Sequence, residues 1–193
     1  VGQTLDISVS EAVTPLSFAR HFGVELPPQF ELNLRASTAR VIGPFDGLRY
    51  RGAVHGAGRY AGLPLDLRAS LAGGLEQLQW TAATLRAGSM QGQSHGTVYF
   101  AGPFNAQVDF SGLDPSIPGL LGIDLPPELN RDLSFIAEGR AHLSGNLTSP
   151  RIALSVKADG AYRDEAATMK AEVSGSSRAL HIESFDLRLQ PGS

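Results

Sequence analysis

The chain has no cysteine. That excludes disulfides, thiolate metal sites and a cysteine nucleophile, and it leaves the compartment open. Aromatic residues are only 7% of the sequence while hydrophobic residues are 42%, so the apolar surface is mostly leucine, valine, isoleucine and alanine. Apolar runs stop after a few residues, too short for a helix that crosses a bilayer. Positive charge is also thin. The formal net charge is −3, and among sixteen basic residues only Lys157 and Lys170 are lysine. The arginines are scattered about one per strand-like segment, which argues against a nucleic-acid stripe. The sequence opens at Val1 with no methionine and no signal-type hydrophobic region, so it is expected to be a piece of a longer protein whose targeting information lies elsewhere.

What is present is alternation with a period of two, the mark of half-buried strands. In PLDLRASLAG, Leu65, Leu67, Ala69 and Leu71 take one phase while Asp66, Arg68 and Ser70 take the other. LEQLQWTA gives Leu78, Trp80 and Ala82, and FNAQVDFSG gives Phe104, Ala106, Val108 and Phe110. RIALSVKADG continues with Ile152, Leu154 and Val156, and ALHIESFDLRL with Leu180, Ile182, Leu187 and Leu189. Near the start, Leu5, Ile7 and Val9 alternate, as do Leu32, Leu34 and Ala36. Turn signals such as AGG, SGN and SGSS separate the runs. The spacing predicts an all-β chain with two short helices, at 15–22 and 115–121.

Each helix candidate leads into nearly the same string, GVELPP at Gly23–Pro28 and GIDLPP at Gly122–Pro127, 99 residues apart. A double proline cannot continue a helix and pushes the residue before it toward extended structure. Both strings are therefore expected to open a strand. The likeness extends downstream at an offset of 102, where Leu78 matches Leu180, Trp80 matches Ile182 and Leu85-Arg86 matches Leu187-Arg188. Two tandem repeat-like units, about 15–110 and 115–193, are expected to stack as modules.

Motifs for chemistry are scarce. Gly92-Gln93-Ser94-His95-Gly96 matches a G-x-S-x-G nucleophile elbow, which needs a strand turning sharply into a helix; here the strand-like TVYF follows. Gly56, Gly58 and Gly62 miss the dinucleotide spacing by one residue, and no helix follows them. His21, His55, His95, His142 and His181 are dispersed, with His142 and His181 in outward phase. Asn146-Leu147-Thr148 is a formal glycosylation sequon. RYRGAVHGAGRY interleaves arginine and tyrosine without the net positive charge of an RNA platform. No carboxylate pair stands apart from the polar phase of the strands. The reading is of a chain that is not an enzyme and needs no cofactor or metal.

The apolar phase itself remains. A second sheet could cover it, as in a β-sandwich, or one long curved sheet could leave it as a trough. Apolar faces are normally covered, so the pattern alone favours the sandwich.

HLSGNLTSPRIALSVKADGAYRDEAATMKAEVSGSSRALHIESFDLRL resembles the repeating pattern of the TamB and AsmA-like family: a G-x-L segment, a strand of the form P-x-[IVL]-x-[LVI], a short turn with an aromatic, then two further strands. GRYAGLPLDLRASLAGGLEQLQWTAATLRAGSMQGQSHGTVYF follows the same rhythm, so the resemblance covers most of residues 30–193. The -LPP- strings are closer to the AsmA-like branch and SPRIALSV to TamB.

The resemblance implies a β-taco, a long antiparallel sheet folded lengthwise into a groove with an apolar interior, and 1–193 as one continuous segment of it. It implies a parent anchored in the inner membrane of a diderm bacterium and reaching through the periplasm. The implied role is non-enzymatic transfer of phospholipid, whose acyl chains lie in the groove between inner and outer membranes. The alternative is a scaffold or chaperone module for outer-membrane β-barrel assembly, with an outer-membrane barrel of the Omp85 type as partner of the parent. Lipid-groove residues, chosen by phase, are Leu65, Leu67, Leu71, Leu78, Trp80, Phe104, Val108, Phe110, Ile152, Leu154, Val156, Ile182, Leu187 and Leu189.

Overall fold

The computed structural model describes residues 4–10, 12–15, 30–60, 62–114, 133–146, 149–163, 165–176 and 179–190. They form twelve strands: β1 (Thr4–Val9), β2 (Ala12–Pro15), β3 (Phe30–Pro44), β4 (Arg49–Tyr60), β5 (Leu63–Gly74), β6 (Gln77–Ala87), β7 (Met90–Tyr99), β8 (Phe104–Leu113), β9 (Leu133–Asn146), β10 (Ser149–Tyr162), β11 (Glu165–Ser176) and β12 (Ala179–Leu189). The described residues include no helix. The expected helices at 15–22 and 115–121 lie outside them, except that Pro15 closes β2 and is extended. Both -LPP- strings also lie outside, one in the segment between β2 and β3 and the other between β8 and β9.

The chain divides into two compact units, Val1–Gly88 with Gln93–Phe104, and Ser89–Gly92 with Asn105–Ser193. Each is an open, antiparallel sheet in which neighbours in sequence are neighbours in space. In the first the order is β1-β3-β4-β5-β6-β7, and β2 continues β1 along β3. In the second it is β8-β9-β10-β11-β12. Short turns make this order the cheap one, because a hairpin closes with little loss of chain entropy. One example is the Pro44–Gly47 turn, where the Gly47 N–H donates to the Pro44 carbonyl at 2.9 Å.

The two units repeat each other in register. Tyr50 lies opposite Gly73 and Gly58 opposite Leu65; in the second unit Ile152 lies opposite Gly175 and Gly160 opposite Ala167. Every one of these numbers advances by the 102 seen in the sequence. The next ladder repeats as well, including its irregularity. Between β5 and β6 the register slips so that Thr81 is left over, and between β11 and β12 it slips so that Glu183 is left over. A further slip between β3 and β4 falls between Ala36 and Thr38.

The interior is thin. Among the described residues the buried apolar ones are Leu32, Leu65, Ala87, Ala106, Ala137, Ala158 and Ala167, and none of the larger ones is wholly enclosed. A single sheet has no opposite layer to bury against, so leucines pack sideways over their neighbours. Gly58 and Gly56 make room for this on β4. Gly58 sits between Leu32 and Leu65, and Gly56 between Leu34 and Leu67. A Cβ at Gly58 would strike the backbone of Glu31 and Leu32, and one at Gly160 the backbone of Ser134 and Phe135. Glycine at these two places permits a close approach of adjoining strands.

Gly58→Ala and Gly160→Ala are each expected to destabilise by about 1–3 kcal/mol, the usual cost of overpacking. Gly47→Ala, at an exposed turn where a Cβ meets only the Pro44 ring, is expected to stay within about 0.5 kcal/mol. Urea unfolding checks the contrast, and three equal midpoints would remove the packing role given to Gly58 and Gly160.

Candidate functional site

Register decides which side chains share a face, because residues directly opposite in neighbouring strands point the same way. In the first unit one face collects Leu5, Ile7 and Val9 from β1 and Ala39 and Val41 from β3. Beyond the slip in β3 it takes Ala36, Leu34 and Leu32, and across β4 it takes Val54, Gly56 and Gly58. Of the residues singled out by phase, Leu65, Leu67 and Leu71 stand on this face opposite Gly58, Gly56 and Gly52. Trp80 and Leu78 stand opposite Leu71 and Gly73.

The expectation for β6 needs one correction. Ala82, grouped by phase with Leu78 and Trp80, lies opposite Ser70 and is exposed. The bulge at Thr81 inserts one residue, so Ala83, Leu85 and Ala87 take over the apolar face where simple alternation would have put Ala82.

The second unit builds the same surface. Ile152 lies opposite Leu143 and Gly175, Leu154 opposite Ala141 and Val173, and Val156 opposite Gly139 and Ala171. Ile182, Leu187 and Leu189 lie opposite Val173, Met169 and Ala167. The Phe110 ring covers the position a Cβ would take on Gly139, which brings Val108 and Phe110 of β8 to the face of Val156. Phe104 shares their phase at the start of β8 and is half-buried. Phe185 belongs here too and was missed. The bulge at Glu183 moves the phase from even to odd numbers, and Phe185 stands opposite Ala171 with Leu187 and Leu189. Alternation breaks where two residues separate apolar-face neighbours, Thr81 and Ala82 between Trp80 and Ala83, and Glu183 and Ser184 between Ile182 and Phe185, and only the second break is visible as a polar pair in the sequence.

Among the described residues, the only ionisable carboxylate or cation at a paired position on either apolar face is Glu165, at the first position of β11. The polar atoms there are satisfied by the protein itself. Trp80 Nε1 donates to Ser94 Oγ at 3.0 Å, and Tyr50 OH donates to the Gln77 carbonyl at 3.1 Å. A shallow cleft of about 60 Å³ opens on the second unit's face between Phe135, Ala158, Gly160, Ala167, Met169 and Leu187. A wider concavity, about 720 Å³, is bounded chiefly by polar-face residues of the first unit such as Ser8, Thr38, Arg40, Arg51 and Ser70.

The opposite faces carry the charge. Arg40 grips Asp6 with two hydrogen bonds, Nε to Oδ1 at 3.0 Å and Nη2 to Oδ2 at 2.7 Å, tying β1 to β3. Arg140 Nε donates to Asp109 Oδ1 at 2.5 Å. His55 Nε2 meets Asp66 Oδ2 at 2.6 Å across β4 and β5, and Arg68 Nε lies 3.3 Å from Asp66 Oδ1. The His55 hydrogen bond, helped by the charge of Arg68, holds the Asp66 carboxyl below the usual carboxylate range despite some loss of solvent. His142 and His181 are exposed on the polar faces, opposite Ala153 and Ser174. Ser94 lies inside β7, not on a strand-to-helix turn.

Compared with known proteins, the chain matches no family model, no curated protein and no solved structure.

Asp66 yields a pH signature. A carboxyl whose pKa is lower folded than unfolded adds stability above its unfolded pKa, about 3.9, and loses it as pH falls through the folded value. Asp66→Asn is therefore expected to melt below the parent at about pH 6, with the gap narrowing as pH falls below the unfolded pKa. Melting temperatures over that range check it; a gap that does not change with pH would mean that Asp66 does not act through its charge.

Proposed function

We propose that the chain is a non-enzymatic lipid-transfer segment whose apolar faces hold the acyl chains of phospholipids. One observation carries the reading: each unit presents a broad apolar face on which the described residues place a charge only at Glu165, and no described element lies over either face as a second layer. The resemblance to the TamB and AsmA-like family supports it. On that reading the sheet folds into a β-taco groove within the periplasm of a diderm bacterium, in a parent anchored in the inner membrane.

The physics asks for little else. Burying a methylene is worth about 0.8 kcal/mol, so a sixteen-carbon chain half-covered by such a face would be held by roughly 6 kcal/mol relative to water. Relative to a bilayer the difference is near zero, since leucine and lipid tails are about equally apolar. A chain can therefore leave one membrane, travel and enter another without a deep trap. Contacts of this kind have no direction, so they allow sliding. Headgroups would remain in water at the margin of the face, and no hydrogen bond from the protein is required because Tyr50 and Trp80 already have partners.

Native mass spectrometry after incubation with mixed phospholipid vesicles tests the proposal. The unmodified chain is expected to carry phospholipid. Leu154→Arg and Val108→Asp place a charge on the face at half-buried positions. On a face open to water both variants should keep a cooperative, modestly lowered thermal transition and lose the lipid. On a sealed core an unpaired charge costs several kcal/mol or more and would unfold a marginally stable domain. Unfolding of both variants, or a wild-type chain that takes up no lipid, would overturn the proposal.

A further inference from the structure

The polar face of the first unit carries an arrangement that the second unit lacks. Arg40 on β3 and Arg51 on β4 lie directly opposite each other. Side chains so placed start about 5 Å apart, and like charges there repel. Asp6 balances only one of them, through its two hydrogen bonds with Arg40. Among the described residues the Arg51 guanidinium has no ion pair and no hydrogen bond, and neither has that of Arg49. The sheet holds a repulsive pair that is one anion short.

The pair stands where two hollows of the polar face meet. The larger, about 720 Å³, brings the hydroxyl residues Ser8, Thr38, Ser70 and Thr81 around Arg40 and Arg51. The smaller, about 320 Å³, shares both arginines and adds Arg49. Among the described residues no carboxylate lines either hollow. Ala72 lies opposite Arg51, and Ala53 lies between Thr38 and Ser70, so small side chains leave the space open. A concavity lined by one sign of charge focuses its field and draws counter-ions in.

The repeat supplies an internal contrast. At the offset of 102, Arg40 and Arg51 become His142 and Ala153, again directly opposite. Ser70 becomes Glu172, and the bulge residue Thr81 becomes Glu183. Thr38 becomes Arg140, which is bound to Asp109. Of the three cations in the hollows only Arg49 recurs, as Arg151. The second unit has the same strands and the same bulge without the unbalanced pair, so the fold does not require it.

We infer that this concavity binds a small organic phosphate with a hydroxyl-bearing body, its phosphate seated between Arg40 and Arg51. Guanidinium groups present planar forks of donors that match phosphate oxygens. Arg40 uses two of its five N–H groups on Asp6 and keeps three. Serine and threonine hydroxyls both donate and accept, which suits a polyol or sugar body. The larger hollow also falls within the range of about 300–1,000 Å³ usual for small-molecule sites, more than a bare ion would use. The site lies on the face opposite the one proposed to hold acyl chains. The inference therefore does not rest on lipid transfer.

Calorimetric titration of the full chain with glycerol 3-phosphate tests it. One molecule is expected to bind per chain, inorganic phosphate more weakly, and glycerol not at all. Arg51→Gln is expected to weaken binding by about tenfold or more, the usual effect of losing a charge-assisted hydrogen bond. Without ligand it should melt no lower than the parent, because a repulsion has been removed. Ser70→Glu, which installs the carboxylate of the second unit, should abolish binding. Lys157→Gln, an exposed cation of the second unit, should leave it unchanged. No heat at millimolar glycerol 3-phosphate would overturn the inference, as would an equal loss in Lys157→Gln or a lower melting temperature for Arg51→Gln. Binding to phosphatidylglycerol vesicles without binding to glycerol 3-phosphate would assign the arginines to a membrane surface, and would overturn it too.

Discussion

A β-strand turns successive side chains to opposite faces, so one extra residue inverts everything that follows it. The whole arrangement of this protein depends on that constraint. Three of the strands carry a single-residue slip, β3, β6 and β12, whereas the ladders of β4 with β5 and of β10 with β9 and β11 run without one. Each slip is matched by a change of phase in the sequence. In β6 the apolar set passes from Leu78 and Trp80 to Ala83, Leu85 and Ala87; in β12 it passes from Leu180 and Ile182 to Phe185, Leu187 and Leu189. Bulge and sequence phase together keep the face apolar, with Glu165 at its end as the one charge among the paired described positions.

A face with no described element layered over it has a structural cost. Such a sheet draws little of its stability from a closed core, and the small number of enclosed side chains among the described residues reflects that. It relies on its ladders, on leucines leaning across the glycines of β4, and on polar-face pairs that join neighbouring strands. Arg40 with Asp6, His55 with Asp66 and Arg140 with Asp109 each link two different strands. Exposed pairs of this kind add little singly. Their placement still matters, because each fixes strand against strand on the face where water is tolerated, leaving the other face to apolar contacts.

Alternation was easy to read from the sequence, since every charged residue in PLDLRASLAG or RIALSVKADG occupies the phase opposite to the leucines, isoleucine and valine. The offset of 102 was also legible, as Leu85-Arg86 and Leu187-Arg188 preserve both identity and phase. What sequence could not deliver was the slip. Trp80-Thr81-Ala82 reads as unbroken alternation because alanine suits either face, so Ala82 was grouped with the wrong neighbours until pairing with Ser70 showed otherwise. Phe185 was lost for the opposite reason: Glu183 and Ser184 interrupt the pattern, and without the partner strand no rule says on which side it resumes. The helices and the -LPP- strings fall outside the described residues, so their part in the repeat is carried by chain order alone.

The two units also show what the face demands of its residues. Opposite positions exchange volume between copies. Leu65 faces Ala87 in the first unit, and Ala167 faces Leu189 in the second. Trp80 against Leu71 becomes Ile182 against Val173, a loss, while Ala83 against Ala69 becomes Phe185 against Ala171 one step along the same strands, a gain. Identity varies at these places while phase is fixed. A closed core would resist such exchanges, because interdigitated layers feel a change of even one methylene. A face that packs only sideways can absorb them, provided the sum across a pair or its neighbour stays similar. The glycines at 58 and 160, and at 73 and 175, are the same in both copies, and at each of them a Cβ would run into a neighbouring strand's backbone. The fold is thus strict about backbone approach and register and lenient about which apolar residue fills a place.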